Sequence, residues 1–386
     1  MPSPDPVARW LADHGHPLAV PDDADGGPDG VGAWVRATAG AQVVALGPAV
    51  GGTRELALLA ARCVSAFVAD GAGTLALQAG ESAATVLDDA IRGRGAFGEA
   101  LERLGSWSWN TREVLDLVRS LAEGPSVSVV GIDPRRPATA VRVVGAFLRT
   151  AAPDVLPSVA DALADLALGY GDAASRAAVD RVLSRLEQDA PALVAATSPA
   201  AHAEAVRHAE FLARAAELAA TPPGRADAVA SRLMAEAVIA AGAHGRVVLW
   251  AHADHVVVRP GSVGALLREH FGDGYRALVL SAGTGSLRAL RRRRLFGSSR
   301  TPSTHRLPAA PPTSLEGTVL EACPRDTVVD LTPELPEEVR DWATVRRSVG
   351  DEVSPAAPAR ALVPCVPGAE MDGVAVVGAV HPNWAR

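Results

Sequence analysis

Hydrophobic and polar positions along the chain alternate between two periods. Residues 1–20 carry the spacing of an amphipathic helix, and "PDDADGGPDGVG" (21–32) reads as a loop. Gln42 to Leu46 is a short apolar run of strand length. A helical repeat follows to about Val68, with Leu56, Leu59, Cys63 and Phe67 on one face and Thr53 placed to cap it. "GTLALQAG" (73–80) predicts a second buried strand, and Ser82 to Arg92 returns to helix. "WNTREVLDLVRSLAEG" (109–124) has Asn110 or Thr111 at its start and Gly124 at its end, as a helix should. "SVSVVGIDP" (126–134) is a third strand.

From 135 to about 243 the pattern is almost wholly helical, broken at Pro153, Pro157, Pro191, Pro199 and "TPPG" (221–224). "GRVVLWAHADHV" (245–256) and "YRALVLSAG" (275–283) return to strand. "RALRRRRLFGSSRTPSTHRLPAAPPTS" (288–314) is basic, then proline-rich, and predicts a mobile loop or flap. The remainder alternates short strands, "TVVDL" and "GVAVVGAV", with a helix at "PEEVRDWATVRR". The expected fold class is α/β: a central, mostly parallel sheet flanked by helices, with an inserted helical lobe. The expected segments are 1–134 and 244–290 for the α/β core, 135–243 for the helical lobe, 291–314 for the loop and 315–386 for a small C-terminal α/β lobe. In such a fold the ligand site lies at the carboxyl ends of the strands. That rule gathers Pro48–Thr53, Gln78–Glu81, Asp133–Arg136 and His252–His255 on one rim.

Composition narrows the chemistry. The chain has 386 residues, 48% of them apolar, without a run long enough to span a bilayer. No export signal is visible at its start. Cys63, Cys323 and Cys365 are few and scattered, which points to reduced thiols in a cytoplasmic protein rather than a disulfide framework or a zinc site. A net charge of −7 argues against nucleic-acid binding. Every basic residue is Arg or His, so Schiff-base and Walker lysine mechanisms are excluded. There is no G-x-S-x-G elbow and no H-E-x-x-H, and neither a cofactor nor a metal is expected.

Three constellations carry the candidate chemistry. In "WAHADHV", His252 and His255 stand three apart at a strand end, spaced to act as base and acid. They could also be two ligands of a metal, though no acidic residue has the spacing to supply a third; the other alternative is that His255 packs and His252 bonds a backbone carbonyl. Gly47, Gly51 and Gly52 precede a helix and can offer N–H groups to an anion, or simply make a tight turn. Asp133, before a proline, serves a ligand or a turn, and Glu81 a ligand or a helix cap. The Arg291–Arg294 run meets an anionic partner or only solvent.

Seven segments resemble the erythromycin esterase-like family in the order in which that family has them: "VVALGPAVGGTREL", "GTLALQAG", "WNTREVLDLVRSL", "VVGIDP", "RLMAEAV", "VVLWAHADHV" and "VVDL…VRDWATVRRSVG". Together they span about Pro17 to Trp384. The resemblance implies a central parallel sheet, an inserted helical lobe, a small second lobe, and metal-free opening of macrolide lactones by a histidine that activates water with help from carboxylates. This chain departs from that pattern where the chemistry lies. The family's Gly-Glu-Ala-Thr-His-Gly-Thr reads Gly47-Pro48-Ala49-Val50-Gly51-Gly52-Thr53 here, so Pro48 replaces the glutamate and Gly51 the histidine. An arginine has become Ala60, a glutamate Gln78, and an Arg-Asp pair and an Asn have become Ala230, Ser231 and Ala237. Trp250, His252, His255, Arg54, Glu55 and Arg62 survive. A general base is typically worth ~10²–10⁴-fold in rate, so ester hydrolysis is not the expected activity. A histidine replaced by Gly51 is expected to open volume at the rim.

The candidate catalytic residues are therefore His252 and His255. Gly51, Gln78, Glu81, Asp133, Trp250 and Asp254 are the expected contacts to a small hydrophobic, polyketide-type natural product, with no membrane or nucleic-acid partner. The expected reaction is cyclisation, elimination or isomerisation. The alternatives are a natural-product sequestration protein, or a hydrolase that uses a rearranged site with Glu81 or Asp133 as acid.

Overall fold

A computed structural model describes residues 5–18, 29–293, 297–299, 301–332, 334–354 and 361–386. Arg294 of the basic run lies outside them. The chain divides into two compact units, the first made of Met1–Ala76, Trp107–Ser128 and Ile239–Arg386, the second of Leu77–Ser106 and Val129–Val238.

Thirteen strands lie among the described residues: β1 (Gly15–Pro17), β2 (Val43–Pro48), β3 (Thr74–Gly80), β4 (Ser128–Asp133), β5 (Val247–Trp250), β6 (Tyr275–Arg293), β7 (Gly297–Ser298), β8 (Ser303–Leu307), β9 (Thr327–Asp330), β10 (Thr344–Arg347), β11 (Glu352–Val353), β12 (Leu362–Cys365) and β13 (Gly373–Val380). In the first unit the sheet order is β1-β9-β13-β6-β2-β5. The pairings β13/β6, β6/β2 and β2/β5 are parallel, while β1/β9 and β9/β13 are antiparallel. β2 is central, with Ala45 opposite both Leu249 and Ala277. Its residues Val43–Leu46 are wholly buried, as a parallel strand covered on both faces requires, which is why it reads as a continuous apolar run. β3 and β4 begin in this unit: Gly73 and Thr74 donate to Arg246 O, and Ser128 to Gly73 O. A separate two-stranded sheet pairs β10 with β12. The α/β class is as the hydrophobic pattern predicts.

In the second unit β3 and β4 end side by side, so closely that a Cβ on Gly131 would sit 2.5 Å from Gly80 O. The rest is helical. Val144, Leu148, Leu163, Val179, Val182, Leu186 and Leu212 interlock in a core with Ala205 and Ala209. Each buried Val or Leu contributes roughly 1.5–3 kcal/mol of transfer free energy. The proline breaks fall where the sequence sets them. Ser198 caps the helix Pro199–Ala219 by accepting from Ala201 N, with Pro199 in the first turn.

Several elements differ from expectation. The N-terminal helix is Pro6–His14, and the chain then extends into β1 against β9. Part of the expected loop 21–32 lies outside the described residues, but Gly30–Ala37 is a helix capped by Asp29. β6 does not stop near 283 but runs to Arg293, and β8 returns antiparallel to it, Gly285 opposite Leu307. The expected mobile flap is therefore partly sheet. Leu287 and Ala289 are buried and Arg288 and Leu290 less so, a period of two that the neighbouring basic residues obscure. Strand β5 ends at Trp250, and Ala253–Val256 is one helical turn. The expected helix "PEEVRDWATVRR" is helical only over Glu337–Arg340, because "TVRR" belongs to β10. Within the expected C-terminal lobe, β9 and β13 belong to the main sheet of the first unit.

Candidate functional site

In the first unit the site builds on the turn after β2. Gly47 leaves room for the following chain: a Cβ there would meet Ala253 Cα at 2.9 Å. Gly52 adopts φ +66°, and a Cβ on it would lie 1.8 Å from Arg288 O, so only glycine fits. Thr53 occupies the cap position of the helix Arg54–Ala69, yet its hydroxyl donates to Val50 O rather than accepting from the helix.

The segment Ser348–Asp351 lies along this turn. Val349 N donates to Ala49 O, Gly51 N donates to Val349 O at 2.7 Å, and Val50 bridges Val349 in parallel. Two expectations change. The Gly51 N–H is spent on Val349 and is not offered to an anion. The volume expected from the loss of the histidine is not open either: a Cβ on Gly51 would meet the Gly350 carbonyl carbon at 3.3 Å and Asp351 Oδ1 at 3.4 Å.

His252 caps the helical turn Ala253–Val256, its Nδ1 accepting from Asp254 N at 3.3 Å. Its side chain is 21% exposed. Burial holds the imidazole below its ordinary pKa, with Arg346 acting the same way, against the opposing pull of Asp254, Asp351 and the Val349 backbone. Asp254 accepts from Arg346 Nη2 at 2.6 Å and from the Ser348 hydroxyl. Burial alone would raise it, but Ser348, His252 and Arg346 together hold its carboxyl below the usual carboxylate value. Ser108 Oγ donates to Asp351 Oδ2 at 2.9 Å. His255 is half-buried in the same turn as His252. Trp250 is buried edge-on to Trp109, with ring centroids 5.2 Å apart.

In the second unit, Gln78 is half-buried near the end of β3, and Glu81 opens the helix Glu81–Ile91, whose cap is Gly80. Glu81 is 4% exposed. Its Oε1 lies 2.8 Å from Arg214 Nη2, while Oε2 is buried with no hydrogen-bond partner among the described residues. Burial pushes this carboxyl up to about 7; Arg214 pulls it down only in part, and Asp133 and Glu236 add to the rise. Asp133 accepts from Arg135 N at 2.9 Å, an Asx turn after β4.

The residues expected on one rim therefore fall into two groups. Gly51, Trp250, His252, Asp254 and His255 belong to the first unit, and Gln78, Glu81 and Asp133 to the second. Arg214, Arg346, Ser348 and Asp351 were not singled out from the sequence. Arg346 and Arg347 are buried arginines inside a segment that reads as helix; a strand pattern at "TVRR" is the signal that points to them. Arg214 has no local signal. Among the described residues no group of three or more His, Cys, Asp or Glu is placed to hold a metal ion. None of their helices is long and apolar enough to cross a membrane.

Residues 69–380 match the erythromycin esterase family. The chain belongs to that family. The match begins beyond the glycine turn. No curated protein matches. Three solved structures share the fold. A Bacillus cereus protein is 18% identical, with a TM-score of 0.78 over 98% of both chains. A succinoglycan biosynthesis protein is 15% identical, with a TM-score of 0.79 over 98% of both. A mutant of erythromycin esterase EreC in its open conformation is 17% identical, with a TM-score of 0.66 over 90% of this chain and 93% of that one.

Proposed function

We propose that this member of the erythromycin esterase family is an acid–base enzyme that rearranges a hydrophobic, polyketide-type natural product without consuming water, by cyclisation, elimination or isomerisation. The observation that carries the reading is Glu81. A buried carboxyl that titrates at about 7 is half protonated at neutral pH, so it serves equally as proton donor and acceptor. Arg214 fixes one oxygen, and the other has no partner among the described residues.

Support for the non-hydrolytic part comes from the first unit. The position that the resemblance assigns to the water-activating histidine is Gly51, backed by Gly350 and Asp351. Pro48 replaces the carboxylate. His252 spends its Nδ1 on Asp254 N, which orients the ring, and the proposed proton exchange is assigned to Glu81 alone. The substrate class rests on the family and on the macrolide named for EreC.

The test is mass balance with pH. Incubation with candidate polyketide lactones and their open-chain precursors is expected to give a product of unchanged mass, or one lighter by a leaving group, with no label from ¹⁸O water. kcat/KM should titrate with an apparent pKa near 7. Glu81→Gln should lower it by ~10²–10⁴-fold while the fold persists. Incorporation of one labelled oxygen, or full activity in Glu81→Gln, overturns the reading.

A further inference from the structure

The proposed chemistry leaves unused a polar cluster at Gly52, wholly within the first unit. Arg288 and Asn383 both donate their backbone N–H to Gly52 O, at 3.0 Å each, so the two residues flank one carbonyl. The Arg288 guanidinium lies over the Trp107 ring, 5.4 Å from its centroid. The same indole passes beside the turn, its Cη2 2.9 Å from where a Gly52 Cβ would be. Arg288 makes no ion pair and no side-chain hydrogen bond among the described residues, and its Nη1 is buried. Among the described residues Trp107 Nε1 is buried with no acceptor, and Asn383, 5% exposed, has a buried Oδ1 with no donor. Asn110, whose backbone N–H donates to Trp107 O, likewise has an Oδ1 with no partner among the described residues.

These features are costly unless something answers them. A buried donor or acceptor left unmade typically costs about 1–3 kcal/mol, and more for a charged group. Three such atoms belong to residues that meet at Gly52, namely Arg288 Nη1, Trp107 Nε1 and Asn383 Oδ1, and Asn110 joins them through its backbone bond to Trp107. A stacked guanidinium is pre-organised and presents a planar fork that suits a carboxylate. The indole N–H adds a neutral donor. The amides suit a hydroxyl, which both gives and accepts a hydrogen bond.

We infer that Arg288, stacked on Trp107 and flanked by Asn383, binds the carboxylate of a small hydroxy acid. The inference is independent of Glu81, which belongs to the other unit. It stands or falls on Arg288 and its neighbours.

The test uses the full chain, with sodium 3-hydroxybutyrate, sodium butyrate and inorganic phosphate as probes, titrated calorimetrically at constant ionic strength. The expected result is saturable millimolar binding of 3-hydroxybutyrate, weaker binding of butyrate, and the weakest of phosphate. Arg288→Met should weaken 3-hydroxybutyrate at least tenfold, and Trp107→Phe, which keeps a ring but loses the N–H, about threefold. Should Arg288→Met fail to fold, Arg288→Lys carries the test. It keeps the charge without the fork, and at least a fivefold loss is expected. No binding up to 50 mM, tighter binding of phosphate, or unchanged affinity in the folded Arg288 variant overturns the site.

Discussion

Glu81 offers a measurement that needs no substrate. Its carboxyl ordinarily titrates near 4.5 and is pushed up to about 7 in the native chain, chiefly by burial. The native state therefore holds the proton more tightly than the unfolded chain does. The stability this provides is fully present below 4.5 and is lost as the pH rises through 7. Over that window the loss is roughly 3 kcal/mol. Glu81→Gln carries no titrating group, so its stability relative to wild type should climb by about that amount between pH 4.5 and pH 8. Urea melts at the two pH values decide it; a difference that does not change with pH refutes the raised carboxyl. The glycine turn gives a second contrast. Gly51→Ala should cost under ~1 kcal/mol, since its Cβ meets neighbours at 3.3–3.4 Å. Gly52→Ala should cost more than ~2 kcal/mol, since it combines a left-handed backbone with a clash against Arg288 O. Gly51→His, which restores the family's residue, must drive an imidazole towards Gly350 and Asp351. It should lower Tm without giving lactone hydrolysis.

The helices that begin at Arg54 and Arg112 open with the same tripeptide, Thr-Arg-Glu, and each clips one residue of the C-terminal tail. Arg54 N donates to His381 O, while Glu55 accepts from His381 N at 2.7 Å. Arg112 N donates to Trp384 O, while Glu113 accepts from Trp384 N at 3.1 Å. The Arg54 guanidinium lies 4.1 Å from the Trp384 ring centroid. The two clips differ in burial: Glu113 is 4% exposed, whereas the Glu55 side chain is 25% exposed. Losing the buried partner strands a backbone N–H, so Glu113→Ala should cost about 1–3 kcal/mol and Glu55→Ala no more than ~1. Hydrogen exchange at Trp384 N should accelerate in the first variant and hardly in the second; equal effects would show that burial does not set the strength of the clip. A motif repeated at two helix starts is visible in the sequence, but its partner is not, because 381–384 reaches both helices only through tertiary folding. β6 shows the same limit from the other side. Its arginines look like a solvated loop until β8 supplies a pairing edge.

Across the whole molecule, long apolar runs and proline breaks were enough to read the α/β class and the helical segment, because continuous burial leaves a continuous signature. The order of the seven segments was enough for the family. The site was legible only in part. Glu81 and His252 stood where strand ends predict, but Arg214 and Arg346, which set the charge states of these groups' surroundings, lie far along the chain with no local pattern to mark them. The cysteines were legible from scarcity and spacing, and the fold sharpens that into a prediction. Cys63, Cys323 and Cys365 are all buried and free. Burial pushes Cys63 and Cys365 up to about 12 and raises Cys323 as well. Only the thiolate reacts, and at pH 8 a thiol of pKa about 12 is ionised to about one part in ten thousand. Ellman's reagent should therefore find essentially no reactive thiol in the native protein over an hour, and all three after unfolding in guanidinium. Reaction with the native chain should follow the opening of the structure rather than the reagent concentration, so its rate should plateau as reagent is raised. A fast phase that remains first order in reagent would place at least one of these thiols at the surface, and would overturn the packing that buries Cys63 on the helix Arg54–Ala69 and Cys365 opposite Thr344 of β10.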